Sequence, residues 1–183
     1  MILKTMVTIS IILIFILLLS FSLIPAYAED DIEFIGNISL VTLSATAVGV
    51  TLAQGDREGL LQYSKSLLMT LGTTGLLKYS IDKERPNGKP HSFPSGHTSL
   101  AFSGATFLQK RYGWESGIPA LVTASFVGWS RIESDNHYLR DVLAGGAIGI
   151  VSTYFFTDAY QRKIIVTPLV GRETYGMLLQ TAF

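Results

Sequence analysis

SFPSGHTSLAF, residues 92–102, sets Pro94, Ser95, Gly96 and His97 directly before an apolar run. Serine is a favoured helix N-cap because its hydroxyl accepts a bond from an N–H that the first turn leaves without a partner. Gly96 carries no Cβ, so a ligand can come close to the backbone there. A helix therefore starts near Gly96, and the free N–H groups at its start suit an oxyanion. His97 stands beside that start and can move a proton near neutral pH. Taken alone, a capped helix start is a common structural feature, so its meaning depends on what surrounds it.

Upstream, the segment 59–86, GLLQYSKSLLMTLGTTGLLKYSIDKERP, repeats apolar residues at helical spacing and is predicted to stop at Arg85-Pro86, since proline restricts the residue before it. A helix lasting that far would aim Lys78 and Arg85, two turns apart, in one direction. Cations in a last turn are also what the helix dipole favours, so this pair alone is weak evidence. NGKPHSF, residues 87–93, reads as a loop. Downstream, helices are predicted over 96–110, 119–130 and 138–156, with RYGWESGIP at 111–119 as a break. Gly145, Gly146 and Gly149 in the last of these allow close helix packing. The tail at 164–183 carries β-branched residues, partial alternation and a glycine turn, which predict a short β-hairpin. The fold class expected is all-α, a helical bundle with this hairpin appended.

SRIESDNHYLRD, residues 130–141, supplies the third polar cluster. On a helix, His137 and Asp141 would share a face, so the carboxylate could bond one imidazole nitrogen and leave the other nucleophilic. Arg131 adds a fork-shaped phosphate donor. Read as structure only, the same residues make a surface His–Asp pair worth a few tenths of a kcal/mol.

The three clusters together resemble the tripartite signature of the type 2 phosphatidic acid phosphatase superfamily. Its fixed positions fall on Lys78 and Arg85-Pro86, on Pro94-Ser95-Gly96-His97, and on Ser130-Arg131, His137 and Asp141. The seven residues between Pro86 and Pro94 are few for that family and leave little material for a lid. The resemblance implies a helical bundle in which Lys78, Arg85, Ser95, Gly96 and Arg131 hold the phosphoryl oxygens. It further implies that His137 attacks phosphorus, that Asp141 orients it, and that His97 protonates the leaving alcohol after a phosphohistidine forms. No cofactor and no metal are implied. His91 lies outside the signature and reads as a loop or rim residue.

Composition bounds the remaining choices. Fourteen basic and fourteen acidic residues balance, which gives no reason to expect a nucleic acid partner. No cysteine is present, so thiolate chemistry and disulfides are excluded. Residues 1–28 carry Lys4, a long apolar run and Ala26-Tyr27-Ala28 before an acidic group, the layout of a secretory signal that could also persist as an anchor. The expected product is exported and periplasmic, with its phosphatase domain at 29–163. Apolar stretches at 38–53, 66–77, 99–108, 118–129 and 142–156 are shorter than the roughly 20 residues of a spanning helix. They read as buried core helices of a globular body with shallow membrane contact left open. Accessible apolar surface favours a lipid phosphate over a small soluble ester as substrate. A broad-specificity periplasmic acid phosphatase and a phosphate-binding protein without turnover stay open, as do the oligomeric state and the alcohol released.

Overall fold

The computed structural model describes residues 29–160, 163–170 and 175–182. The expected leader at 1–28 lies outside the described residues. Among the described residues five helices follow in order: α1 (Glu29–Ala53), α2 (Arg57–Ser80), α3 (Gly96–Tyr112), α4 (Trp114–Glu133) and α5 (Leu139–Phe156). A hairpin of β1 (Lys163–Val170) and β2 (Tyr175–Ala182) closes the chain, antiparallel with Lys163 opposite Ala182 and Val170 opposite Tyr175. The all-α bundle and the terminal hairpin are therefore both present.

Helix α3 is the centre of the bundle and packs against α4 and α5, with α1 and α2 on the outside. Its contacts with α5 depend on small residues. A Cβ at Gly145 would collide with the Ser95 carbonyl, and one at Gly149 with the Ser99 carbonyl. The apolar core of Leu43, Ala47, Tyr63, Ala101, Ala105, Phe107, Ala124 and Val127 is small and alanine-rich. Tyr63 and Phe107 stack with centroids 4.7 Å apart.

Three boundaries differ from the sequence expectation. Helix α2 stops at Ser80, where Ile81 turns extended, so Arg85 lies in a loop that turns back through Gly88 at φ +78°. The break expected at 111–119 shrinks to Gly113, at φ +95°, which ends α3 and opens directly into α4. Helix α5 begins at Leu139, so His137 precedes it, and the expected shared helical face of His137 and Asp141 does not exist.

Of the stretches expected to be core, 99–108 is buried through Ala101, Ala105, Phe107 and Leu108, whereas others turn much of their apolar surface outward. On α2 the buried side is a stripe of Gln62, Ser66, Thr70 and Thr74, while Leu61, Leu68, Leu71 and Leu76 point outward, Leu68 being 71% exposed. The polar stripe closes on α3, through Thr74 Oγ1 to Ser99 Oγ at 3.0 Å, and on the residue that follows α5, through Ser66 Oγ to Thr157 Oγ1 at 3.5 Å. Phe34, Val41, Leu143, Val151 and Phe155 are exposed in the same way on α1 and α5. A hydroxyl-bonded interior inside an apolar exterior is the inverse of a water-soluble helix and matches helix packing in lipid. Asp31–Ala53 and Leu139–Phe156 are also long and apolar enough to cross a bilayer.

Candidate active site

Alternation of helix direction gathers one end of every helix in one place. The starts of α1, α3 and α5 meet the ends of α2 and α4, as shown by Glu33 on Arg131 and by Ser95 N–H on the Asp141 carbonyl at 2.9 Å. The N-termini of α3 and α5 therefore direct the positive ends of their dipoles to this end.

Ser95 is the N-cap of α3. Its buried hydroxyl accepts from Thr98 N–H at 3.4 Å and pairs with Thr98 Oγ1 at 2.9 Å, so the side chain is committed to the cap. The Phe93–Pro94 peptide before it is cis. Gly96 and His97 form the first turn of α3, where N–H groups have no intrahelical acceptor, and His97 is exposed. The helix start predicted at Gly96, with its histidine alongside, is found.

Lys78 lies in the last turn of α2 and donates to the His91 carbonyl at 2.8 Å. His91 has φ +58°, unusual for a residue with a Cβ, and its ring meets Tyr79 edge-on at 5.3 Å. That geometry makes it part of the rim, holding the loop over Lys78. Arg85 reaches the site from the loop, with Nε on the Pro90 carbonyl at 3.2 Å and Nη1 3.5 Å from Asn136 Oδ1. Lys78 and Arg85 thus converge from different elements.

His137 is 3% exposed. Its Nδ1 has no hydrogen-bond partner and lies 3.9 Å from Asp141 Oδ2, too long for a hydrogen bond. Asp141 is fully buried at the third position of α5, where Oδ2 accepts from Tyr138 N–H at 3.1 Å and from Ser92 Oγ at 2.5 Å. Burial, reinforced by the charges of Arg85 and Lys78 and opposed by Asp141, pushes the His137 imidazole down to about 3. The ring is therefore neutral at pH 7, as a nucleophile requires.

Arg131 is 1% exposed and sits in a socket on α1. Nη1 meets Asn37 Oδ1 at 3.1 Å and Glu33 Oε1 at 3.4 Å, and Nη2 donates to the Glu33 carbonyl at 2.7 Å. Gly36 makes the room, because a Cβ there would lie 2.6 Å from Arg131 Nη2. The guanidinium expected to hold phosphate is thus shared with α1. Glu33 also accepts from Asn136 Nδ2 at 2.9 Å, so Glu33 and Asn136 link Arg131 to Arg85.

Sequence reading missed several members of this end, among them Glu33, Ser92, Asn136 and Lys83, whose Nζ lies 3.8 Å from Asp141 Oδ1. Lys83 and Ser92 lie a few residues from Arg85 and Pro94 and were legible as neighbours of the motifs. Nothing in the sequence ties Glu33 to Arg131, 98 residues away. Among the described residues no three His, Asp or Glu side chains come together as a metal site.

The comparisons with known proteins agree with this geometry. The profile of the PAP2 superfamily matches residues 87–165. Lipid A 4'-phosphatase of Helicobacter pylori is 31% identical over 146 residues, covering 70% of this chain and 74% of that one.

The chain belongs to the PAP2 superfamily.

Lipid A 1-phosphatase of Porphyromonas gingivalis is 40% identical over 99 residues, which is 51% of this chain but only 22% of that protein. Among solved structures, Aquifex aeolicus LpxE shares the fold with a TM-score of 0.60 at 21% identity, over 76% of this chain and 92% of that one. Within the PAP2 signature, the described structure brings Lys78, Arg85, Gly96, His97, His137 and Asp141 to one end. It gives Ser95 a capping role and engages Arg131 with α1.

Proposed function

We propose that this PAP2 protein is a membrane-embedded phosphatase that hydrolyses a phosphate monoester or pyrophosphate of a lipid, without a metal, on the exported side of the membrane. The observation that carries the reading is a buried neutral histidine, His137, standing within the field of Lys78 and Arg85 beside the fully buried Asp141. Phosphate binding alone requires neither a nucleophile nor an orienting carboxylate. The named activities of the relatives, lipid A phosphatases, support a lipid substrate. So does the apolar exterior beside the site end, which would let an acylated substrate reach the site from the bilayer.

In the reaction, His137 Nε2 gives its electron pair to phosphorus while the P–O bond to the lipid alcohol breaks. Lys78, Arg85 and the N–H groups at the start of α3 meet the charge spreading over the phosphoryl oxygens. His97 protonates the departing oxygen. Asp141 balances the imidazolium of the phosphohistidine. His97 then takes a proton from water as its oxygen attacks phosphorus, inorganic phosphate leaves, and the His137 nitrogen recovers its pair.

The test is phosphate release by the full chain in detergent, from a lipid phosphate and from p-nitrophenyl phosphate, with a chelator present. Turnover should survive chelation, favour the lipid in kcat/KM, and fall by at least about 10³-fold in kcat in His137→Ala. Loss on chelation would overturn the metal-free route, and preference for the soluble ester would overturn the lipid assignment. Full activity in His137→Ala would overturn the mechanism.

A further inference from the structure

The two oxygens of Asp141 are held by residues that the PAP2 signature does not contain. Ser92, itself fully buried, donates its hydroxyl to Oδ2 at 2.5 Å, and its carbonyl faces the His137 ring. Oδ1 accepts no hydrogen bond, and Lys83 Nζ stands 3.8 Å from it. Arg140 Nε is 3.9 Å from the same oxygen, but its side chain is 61% exposed and its charge is shared with solvent. Lys83 is more enclosed, at 24%, with its ammonium 5.7 Å from the Phe93 ring centre and 6.0 Å from that of Tyr138. Lys83 and Ser92 are also tied to each other, since Ser92 N–H donates to the Lys83 carbonyl at 2.7 Å.

We propose that Lys83 and Ser92 form a linked pair of positioning residues that fixes the Asp141 carboxylate for His137. A buried carboxylate needs both a counter-charge and donors to keep one orientation. Here the Ser92 hydroxyl and Tyr138 N–H fix the rotation of the group through Oδ2, and Lys83 supplies the charge at Oδ1. His137 Nδ1, unbonded at 3.9 Å from Oδ2, then needs only a small approach to bond a carboxylate already aimed at it. Neither Lys83 nor Ser92 touches the phosphoryl group; both act through Asp141 on the imidazolium that develops as phosphorus is attacked. The role in turnover rests on the phosphatase reading above, whereas the effect on the His137 ring does not.

The experiment uses the full chain in detergent with Ser92→Ala, Ser92→Thr, Lys83→Met and Lys83→Arg. Both truncations should lower kcat by about 10- to 100-fold, the range typical for groups that orient a reacting side chain, with KM changed less than about threefold. Ser92→Thr and Lys83→Arg should recover most of the loss. Without substrate, the 15N resonances of the His137 ring should move in both truncations and those of His97 should not. Unchanged kcat and unchanged His137 resonances in Ser92→Ala and Lys83→Met would overturn the proposal, as would equal loss in Lys83→Arg and Lys83→Met with an unmoved ring. If Ser92→Ala fails to fold, the two Lys83 variants decide alone. A wild type without turnover would remove the phosphatase reading, while the ring resonances would still decide whether Lys83 and Ser92 position the pair.

Discussion

Buried among cations, the His137 imidazole resists a second proton, and this has consequences for both chemistry and stability. Burial acts first, with Arg85 and Lys78 adding to it, so the ring of the substrate-free protein stays neutral far below its ordinary pKa near 6.5. Ring-resolved NMR titration should show no protonation of His137 at pH 5. Removing a neighbouring cation, as in Lys78→Met, should raise its midpoint, and a wild-type midpoint near 6.5 would contradict the account. The sign for stability follows from the same shift. Below pH 6.5 the unfolded chain takes up a proton that the folded chain refuses until about pH 3. Stability from this group is thus complete above pH 6.5 and is lost as pH falls towards 3, with a limiting slope of about 1.4 kcal/mol per pH unit. Thermal unfolding followed across that window in detergent measures it.

At the scale of elements, the site is held by two contacts that leave no room for change. Helix α5 lies against α3 because Gly145 and Gly149 present no Cβ to the carbonyls of Ser95 and Ser99. Gly149→Val should push α5 off the helix that carries Gly96 and His97, destabilising the fold by about 1–3 kcal/mol. Denaturation and activity should fall together in that variant. At the opposite end, Asp56 caps α2 and is clamped by Arg111, with Arg111 Nε on Oδ2 at 2.7 Å and Tyr112 Oη on the same oxygen at 2.9 Å. Burial raises the Asp56 carboxyl, but these donors and the Gly59 N–H outweigh it and leave it below the usual carboxylate range. The Arg111 guanidinium also donates to the Asp158 carbonyl at 3.0 Å and lies 5.2 Å from the Tyr160 ring centre, so one cation joins α1–α2, α3 and the chain after α5. Arg111→Met strands the Asp56 charge and should cost about 3–5 kcal/mol, measured by denaturant unfolding. Joining it with Asp56→Leu should cost much less than the sum of the two singles.

For the whole molecule, the outer surface sets the solvent. Leu68, Leu76 and Phe155 are each at least 70% exposed, while Ser66, Ser103 and Thr153 are buried and hydrogen-bonded, Ser103 Oγ pairing with Thr153 Oγ1 between α3 and α5 at 2.9 Å. Such an exterior promotes association in water and is compatible with lipid, which is the physical basis of the membrane-embedded arrangement proposed above. The full chain should therefore stay with membranes through carbonate extraction and float with liposomes; recovery in the aqueous fraction would contradict the embedded arrangement.

The sequence by itself determined the elements and most of the chemistry. Ser95 and Gly96 fix a helix start by local capping and steric freedom, Gly145 and Gly149 announce close packing, and the tail alternation gives the hairpin, because each depends on residues within a few positions of one another. Lys78, Arg85, His97, His137 and Asp141, spread over three separate clusters, pointed to one site only through their resemblance to the PAP2 signature. Only the tertiary structure decided what those residues touch. Arg131 meets Glu33, Asp141 meets Ser92 and Lys83, and the His137–Asp141 approach is made across a loop rather than along a helix face. Only tertiary structure, too, turned the leucines of α2 outward and its threonines inward. Helical period says that two faces differ, but which face is inside depends on the neighbours each one meets.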